Sequence, residues 1–227
     1  MDWMSTNNNN TTSWASRQGE GNYSWSLQPS GAPLEVMIKL ANKLGAHPWF
    51  TIPAKADDNY VMNFAQMIQA NLDPRLTVYI EYSNEVWNGQ FSQRSYVIDR
   101  GNAESPALDS LQWHALRTRQ VGDIVKGVLG SSRVITTLGA QAANTYTAIR
   151  GLDYLKSRYS THGIDAVAIA PYLGVSPDPS KASKYTTMTM DQIFTEIRTN
   201  VLPVSIGYMS SYTSVASTYN TPIIAYE

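Results

Sequence analysis

The residues of this chain best suited to chemistry crowd into Thr77-Val78-Tyr79-Ile80-Glu81-Tyr82-Ser83-Asn84-Glu85-Val86-Trp87-Asn88. An apolar run ends there in two carboxyls and an amide. Strand alternation places Glu81, Ser83 and Glu85 on one side and Tyr82 and Asn84 on the other, although the pleat often breaks at a strand end. Such polar groups beside a buried strand are costly unless they are hydrogen-bonded or in use. Pro53, Gln141, Tyr172 and Glu227 also sit at the carboxyl ends of apolar runs. Aromatic residues are plentiful, with 14 Tyr and 6 Trp, and Trp14, Tyr23, Trp25 and Trp87 fall in polar, Gly/Ser/Asn-rich stretches. Rings stack on the C–H faces of sugars, while Asn, Gln, Ser and Glu hold sugar hydroxyls. For any single ring, anchoring a loop to the core is the competing role.

Five short apolar runs have to position these groups: HPWFTIP, LTVYIEYSNE, RVITTLGAQ, DAVAIAPYLG and TPIIAYE. Helical patterns lie between them. PLEVMIKLANKLG has Val36, Met37, Leu40, Ala41 and Leu44 at helical spacing and Gly45 as its stop, and DDNYVMNFAQMIQANL has Asp57 and Asp58 as caps. Residues 108–130 form a long helical pattern, and further helices are expected around 143–159 and 190–202. The polar opening, 5–32, reads as loop, and 88–107, 175–188 and 203–220 read as enlarged loops. Strands alternating with helices predict an α/β fold with a parallel sheet. No G-x-G-x-x-G follows a strand and no phosphate-loop motif is present, which weighs against a nucleotide-binding doubly wound fold. Polar groups at the carboxyl ends of strands favour a (β/α)8 barrel.

Composition narrows the partners. With 43% hydrophobic and 15% charged residues, the 227-residue chain can bury one sizeable core, so residues 1–227 read as one domain. A net charge of −1 provides no basic field for nucleic acid or an anionic membrane surface. No apolar run is long enough for a membrane span, and the first residues do not resemble a signal peptide. There is no cysteine, and His47, His114 and His162 lack ligand-like spacing, so neither a metal nor another cofactor is expected.

The Asn84-Glu85 pair, its place after an apolar strand, and the strand-terminal Glu227 three strand-helix cycles later resemble the clan A glycoside hydrolases, retaining (β/α)8 enzymes that act on β-linked sugars, here cellulase-like. The resemblance implies that the five strands are the third to seventh of the barrel. It implies Glu85 as acid/base, Glu227 as nucleophile, and Asn84 as the residue that bonds a sugar hydroxyl. Tyr172 corresponds to a residue that contacts the nucleophile or the sugar. Asp2 and Trp3 fit a stub of the second strand lining the sugar pocket, Trp87 is a stacking candidate, and Gln141 is a further binding candidate. Two carboxyls about 5–5.5 Å apart would act by double displacement. Glu81 reads as a supporting partner, His47 as structural, Trp49 as core, and Trp113 and His114 as packing or surface residues.

The expected function is therefore a secreted or cell-surface retaining glycosidase on an incomplete barrel, strands one and eight being absent. Open edges would make the chain inactive alone or self-associating. The alternatives are a carbohydrate-binding protein on the same scaffold and a non-hydrolytic α/β protein whose strand-end acids bond to loops.

Overall fold

The computed structural model describes residues 3–22, 24–25, 31–173 and 179–226, with the side chains of 179–182 left aside. Five strands form one sheet: β1 (Trp49–Ile52), β2 (Val78–Tyr82), β3 (Val134–Ala140), β4 (Ala166–Ile169) and β5 (Ile223–Ala225). Every pairing is parallel and the order is β1-β2-β3-β4-β5. In a parallel sheet of sequential order, crossovers of the usual right hand put the helices on one face, unlike a doubly wound sheet.

That outer face carries the core. Phe50, Ile52, Ile80 and Tyr82 pack with helices α1 (Leu34–Leu44), α2 (Asp58–Asn71) and α4 (Ser110–Leu129), whereas Leu138, Val167 and Ile169 pack with α5 (Tyr146–Arg158) and α8 (Leu202–Tyr219). The inner face holds different residues. Thr51, Glu81, Thr137 and Ala166 stand in one row, with Trp49, Tyr79 and Ile135 in the row before and Gly139, Ala168 and Ile224 in the row beyond. In a flat sheet β1 and β5 would lie about 19 Å apart, four spacings of about 4.8 Å. Yet the rings of Trp49 and Tyr226 lie 6.5 Å apart. The sheet is therefore strongly curled, with its two edges turned toward one another.

Local chemistry explains the element ends. The Asp57 carboxylate accepts from the Tyr60 N–H at 2.7 Å and caps α2, and Asp109 caps α4 with a reciprocal bond from its own N–H to Gln112. Gly45 ends α1 in the left-handed region at φ 61°. Burial on α1 differs from the expected stripe: Leu34, Met37, Ile38 and Ala41 are buried, while Leu40 and Leu44 are exposed.

Three expected loops contain helix. Within 88–107 lies α3 (Ser92–Asn102), within 175–188 lies α6 (Pro179–Thr186), and 203–220 is nearly all α8. Between α6 and α8 come α7 (Met190–Glu196) and a π-helical turn, Ile197–Val201. The Ser/Thr content of 203–220 hid α8, because Ser211, Thr213, Ser214 and Ser217 turn their hydroxyls back onto carbonyls three or four residues earlier in the same helix. Among the described residues no strand precedes Trp49: the expected stub of a second strand is a turn at Trp3–Met4, and Asp2 lies outside the described residues.

Candidate active site

Strand β2 delivers the chemistry through a broken pleat. Ser83 and Glu85 take φ values of 60° and 42°, the left-handed region that costs non-glycine residues about 1–3 kcal/mol. The strain turns the chain out of the sheet directly after Tyr82. A turn then closes, with the Asn88 N–H donating to the Glu85 carbonyl at 2.8 Å and Asn88 Nδ2 donating to Glu85 Oε2 at 2.9 Å. Glu85 is half-buried, so its carboxyl is both oriented and reachable.

A cleft of about 430 Å³ opens beside it, at the carboxyl ends of β2 to β5. Glu85, Trp87, Gln141 and Tyr172 all line it. Tyr226, Tyr208 and Asn88 line it too, and these three were not singled out as binding residues. Tyr226 could have been suspected, since it ends the apolar run of β5. Tyr208 could not, because its helix was read as loop. No lysine, arginine or histidine is among the lining residues. The cleft thus combines one carboxyl, amides and four aromatic rings, a set that suits an uncharged ligand with both hydroxyls and apolar faces.

Asn84 lies just behind, buried, with Nδ2 donating to Asn7 Oδ1 at 3.3 Å. Gln141 is exposed, and its backbone is pinned by the Tyr212 hydroxyl, which donates to the Gln141 carbonyl at 2.8 Å. Tyr172 is 59% exposed. Glu227 lies outside the described residues.

Glu81 is buried on the inner face, where Trp49 Nε1 donates to its Oε2 at 3.0 Å. A Cβ at Gly139 would fall 2.5 Å from Glu81 Oε1, so the bare glycine makes room for the carboxyl. This agrees with a supporting role for Glu81, with an indole as one of its partners. Trp49 is correspondingly half-buried and stacked on Tyr79 at 5.6 Å, not part of the outer core.

Trp3 does not join the cleft. It lines a separate apolar gap of about 850 Å³ with Met37, Leu40, Leu44 and Trp49, and Tyr226 borders both spaces. The expectation that Trp3 lines a sugar pocket beside Glu85 is therefore corrected: with its turn standing outside the sheet, the ring reaches the gap between the sheet edges. His47 has a structural part, its Nδ1 accepting from the Thr77 N–H at 3.0 Å. Trp113 and His114 are both buried in α4, so neither is a surface residue. Among the described residues, no group of His, Cys, Asp or Glu could hold a metal ion, and no helix is long and apolar enough to cross a membrane.

Compared with known proteins, the chain matches no family model, no curated protein and no solved structure.

Proposed function

We propose that this chain is the catalytic part of a retaining β-glycosidase of clan A type, built on part of a (β/α)8 barrel and acting outside the cell or at its surface on a β-linked oligo- or polysaccharide. The observation that carries the reading is the half-buried Glu85 in a cleft of four aromatic rings and two side-chain amides at the carboxyl ends of parallel strands. Sequential strand order and helices confined to the outer face support the barrel.

In the first step Glu85 gives its proton to the glycosidic oxygen as Glu227 attacks the anomeric carbon, forming a glycosyl ester and releasing the aglycone alcohol. Glu85, now a carboxylate, takes a proton from water, whose oxygen displaces Glu227 and frees the sugar. Asn88, bonded to Glu85 Oε2, leaves Oε1 as the oxygen for proton transfer. Trp87, Tyr172, Tyr208 and Tyr226 supply stacking faces, and Glu227 follows Tyr226 directly in the sequence. The outer edges of β1 and β5, which pair with no other strand among the described residues, are a route to association with a second copy or a complementing piece.

The deciding experiment compares the parent with Glu85→Gln and Glu227→Gln on soluble β-glucan and β-mannan, measuring reducing ends and, separately, oligosaccharide binding. Each substitution is expected to lower turnover about 10²–10⁴-fold while binding survives. A parent that binds these glycans and never hydrolyses them, even at high concentration, is a carbohydrate-binding protein instead.

A further inference from the structure

The run of asparagines near the start of the chain is tied into the site from behind. Asn8 caps α3 from 84 residues away, its Oδ1 accepting from the Ser92 N–H at 2.8 Å. Beside that contact, the Asn8 N–H donates to Gln93 Oε1 at 3.0 Å, while Gln93 Nε2 donates to the Asn84 carbonyl at 2.7 Å and to Asn7 Oδ1 at 2.6 Å. Asn84 Nδ2 meets the same Asn7 oxygen at 3.3 Å. Gln93 is buried.

Backbone groups remove the usual ambiguity of side-chain amides, whose oxygen and nitrogen are assigned from their partners. An N–H can only donate, so the Gln93 atom facing Asn8 is the oxygen. A carbonyl can only accept, so the atom facing Asn84 is the nitrogen, and two independent groups agree. The Asn7 atom facing that nitrogen must then be its oxygen. The Asn84 atom facing Asn7 must in turn be its nitrogen.

We propose that this relay, in which the Asn8 N–H donates to Gln93 and both Gln93 and Asn84 donate to Asn7 Oδ1, fixes the rotation of the Asn84 amide and leaves Asn84 Oδ1 as the acceptor for a ligand hydroxyl that donates. Gln93 and Asn7 are positioning residues that act through Asn84, which itself lies behind the cleft wall next to Glu85. The relay deepens the glycosidase reading and rests on it only for its consequence in turnover.

Direction gives the test, because two one-atom exchanges of amide for acid have opposite outcomes. Asn7→Asp keeps the acceptor that both donors require. Gln93→Glu sets oxygen against the Asn84 carbonyl and against Asn7 Oδ1. In protein labelled with ¹⁵N-asparagine, the Asn84 side-chain NH₂ pair is identified by its loss in Asn84→Asp. It is expected to stay in place in Asn7→Asp and to shift or broaden in Gln93→Glu. Gln93→Leu, which removes the donors without repulsion, should displace the pair as well and serves if Gln93→Glu fails to fold. A pair that moves in Asn7→Asp, or that stays in the folded Gln93 variants, overturns the relay. Where the parent hydrolyses an aryl β-glycoside, kcat should fall about tenfold in Gln93→Leu and change less than about twofold in Asn7→Asp, the scale of one hydrogen bond. The spectra decide the relay even in a parent without hydrolysis, so the two readings fail separately.

Discussion

Two hollows share the Tyr226 ring, and they are built from opposite materials. The cleft beside Glu85 combines a carboxyl, amides and rings, and the strands that frame it are backed by α4 and α5. The gap between β1 and β5 is lined almost wholly by apolar side chains, and it leaves Leu44 65% exposed and Leu40 41% exposed. Apolar surface of this kind is what a protein ordinarily buries. One hollow thus has the makeup of a ligand site and the other that of a core without its cover. Among the described residues the curled parallel sheet has five strands, and this produces both, because the same curvature that gathers the strand ends around Glu85 brings its two outer edges, β1 and β5, face to face.

The sealed backing of the cleft can be broken with acid. His114 is buried in α4 beside the ring of Tyr82, at 6.1 Å, and its Nδ1 has no partner. Burial holds its pKa down from 6.5 to about 4, against a smaller upward pull from the Tyr82 backbone. The fold therefore favours the neutral ring. Above about pH 6.5 the ring is neutral in both folded and unfolded chains, and its full contribution is present. Between 6.5 and 4 the unfolded chain takes the proton first, so stability falls as pH falls, and below about 4 this group costs nothing further. The whole effect is on the order of 3 kcal/mol. Denaturant unfolding at pH 7 and pH 4.5 should show the loss in the parent and a smaller one in His114→Gln. Equal losses in both proteins would remove His114 as the acid-sensitive part of the backing.

On the inner face, Trp49 lines the gap while its indole N–H reaches Glu81. Trp49→Phe keeps a ring against Tyr79 and deletes that donor. A cost of about 1–2 kcal/mol is expected from the lost bond to a buried carboxyl, read by chemical denaturation. In a double-mutant cycle with Glu81→Gln the two substitutions should be non-additive. Additivity would mean that the indole and the carboxyl stand near each other without depending on each other.

Much of this frame was legible in the residues. Five apolar runs became five parallel strands, because short runs bounded by turn residues and separated by helical spacing leave few other arrangements. Of the proposed site residues, Glu85, Trp87, Gln141 and Tyr172 meet at one cleft, since each follows a strand and parallel strands end on one side. What escaped was non-local. The asparagine run read as loose polar chain, yet Thr6 and Asn9 are buried and Asn8 starts a helix far along the sequence. Tyr208 escaped because serines and threonines that satisfy their hydroxyls within a helix look, by composition alone, like loop. Trp3 went to the gap because its position depended on a strand that the described residues do not form.

The smallest expected change in stability tests the gap itself. Leu40 and Leu44 stand on the exposed side of α1, so Leu40→Lys with Leu44→Lys removes few core contacts and should alter unfolding free energy by no more than about 0.5 kcal/mol. Its effect on association should be much larger. Two lysines bring like charges and strongly hydrated heads to an apolar groove, which opposes any apolar cover. Sedimentation velocity over a concentration series should show the parent shifting to larger species and the double variant remaining monomeric, with weaker binding of an apolar fluorescent dye. A parent that stays monomeric throughout and takes up no dye would show that this hollow tolerates water. The contrast between the two hollows would then be one of composition alone, without consequence for assembly.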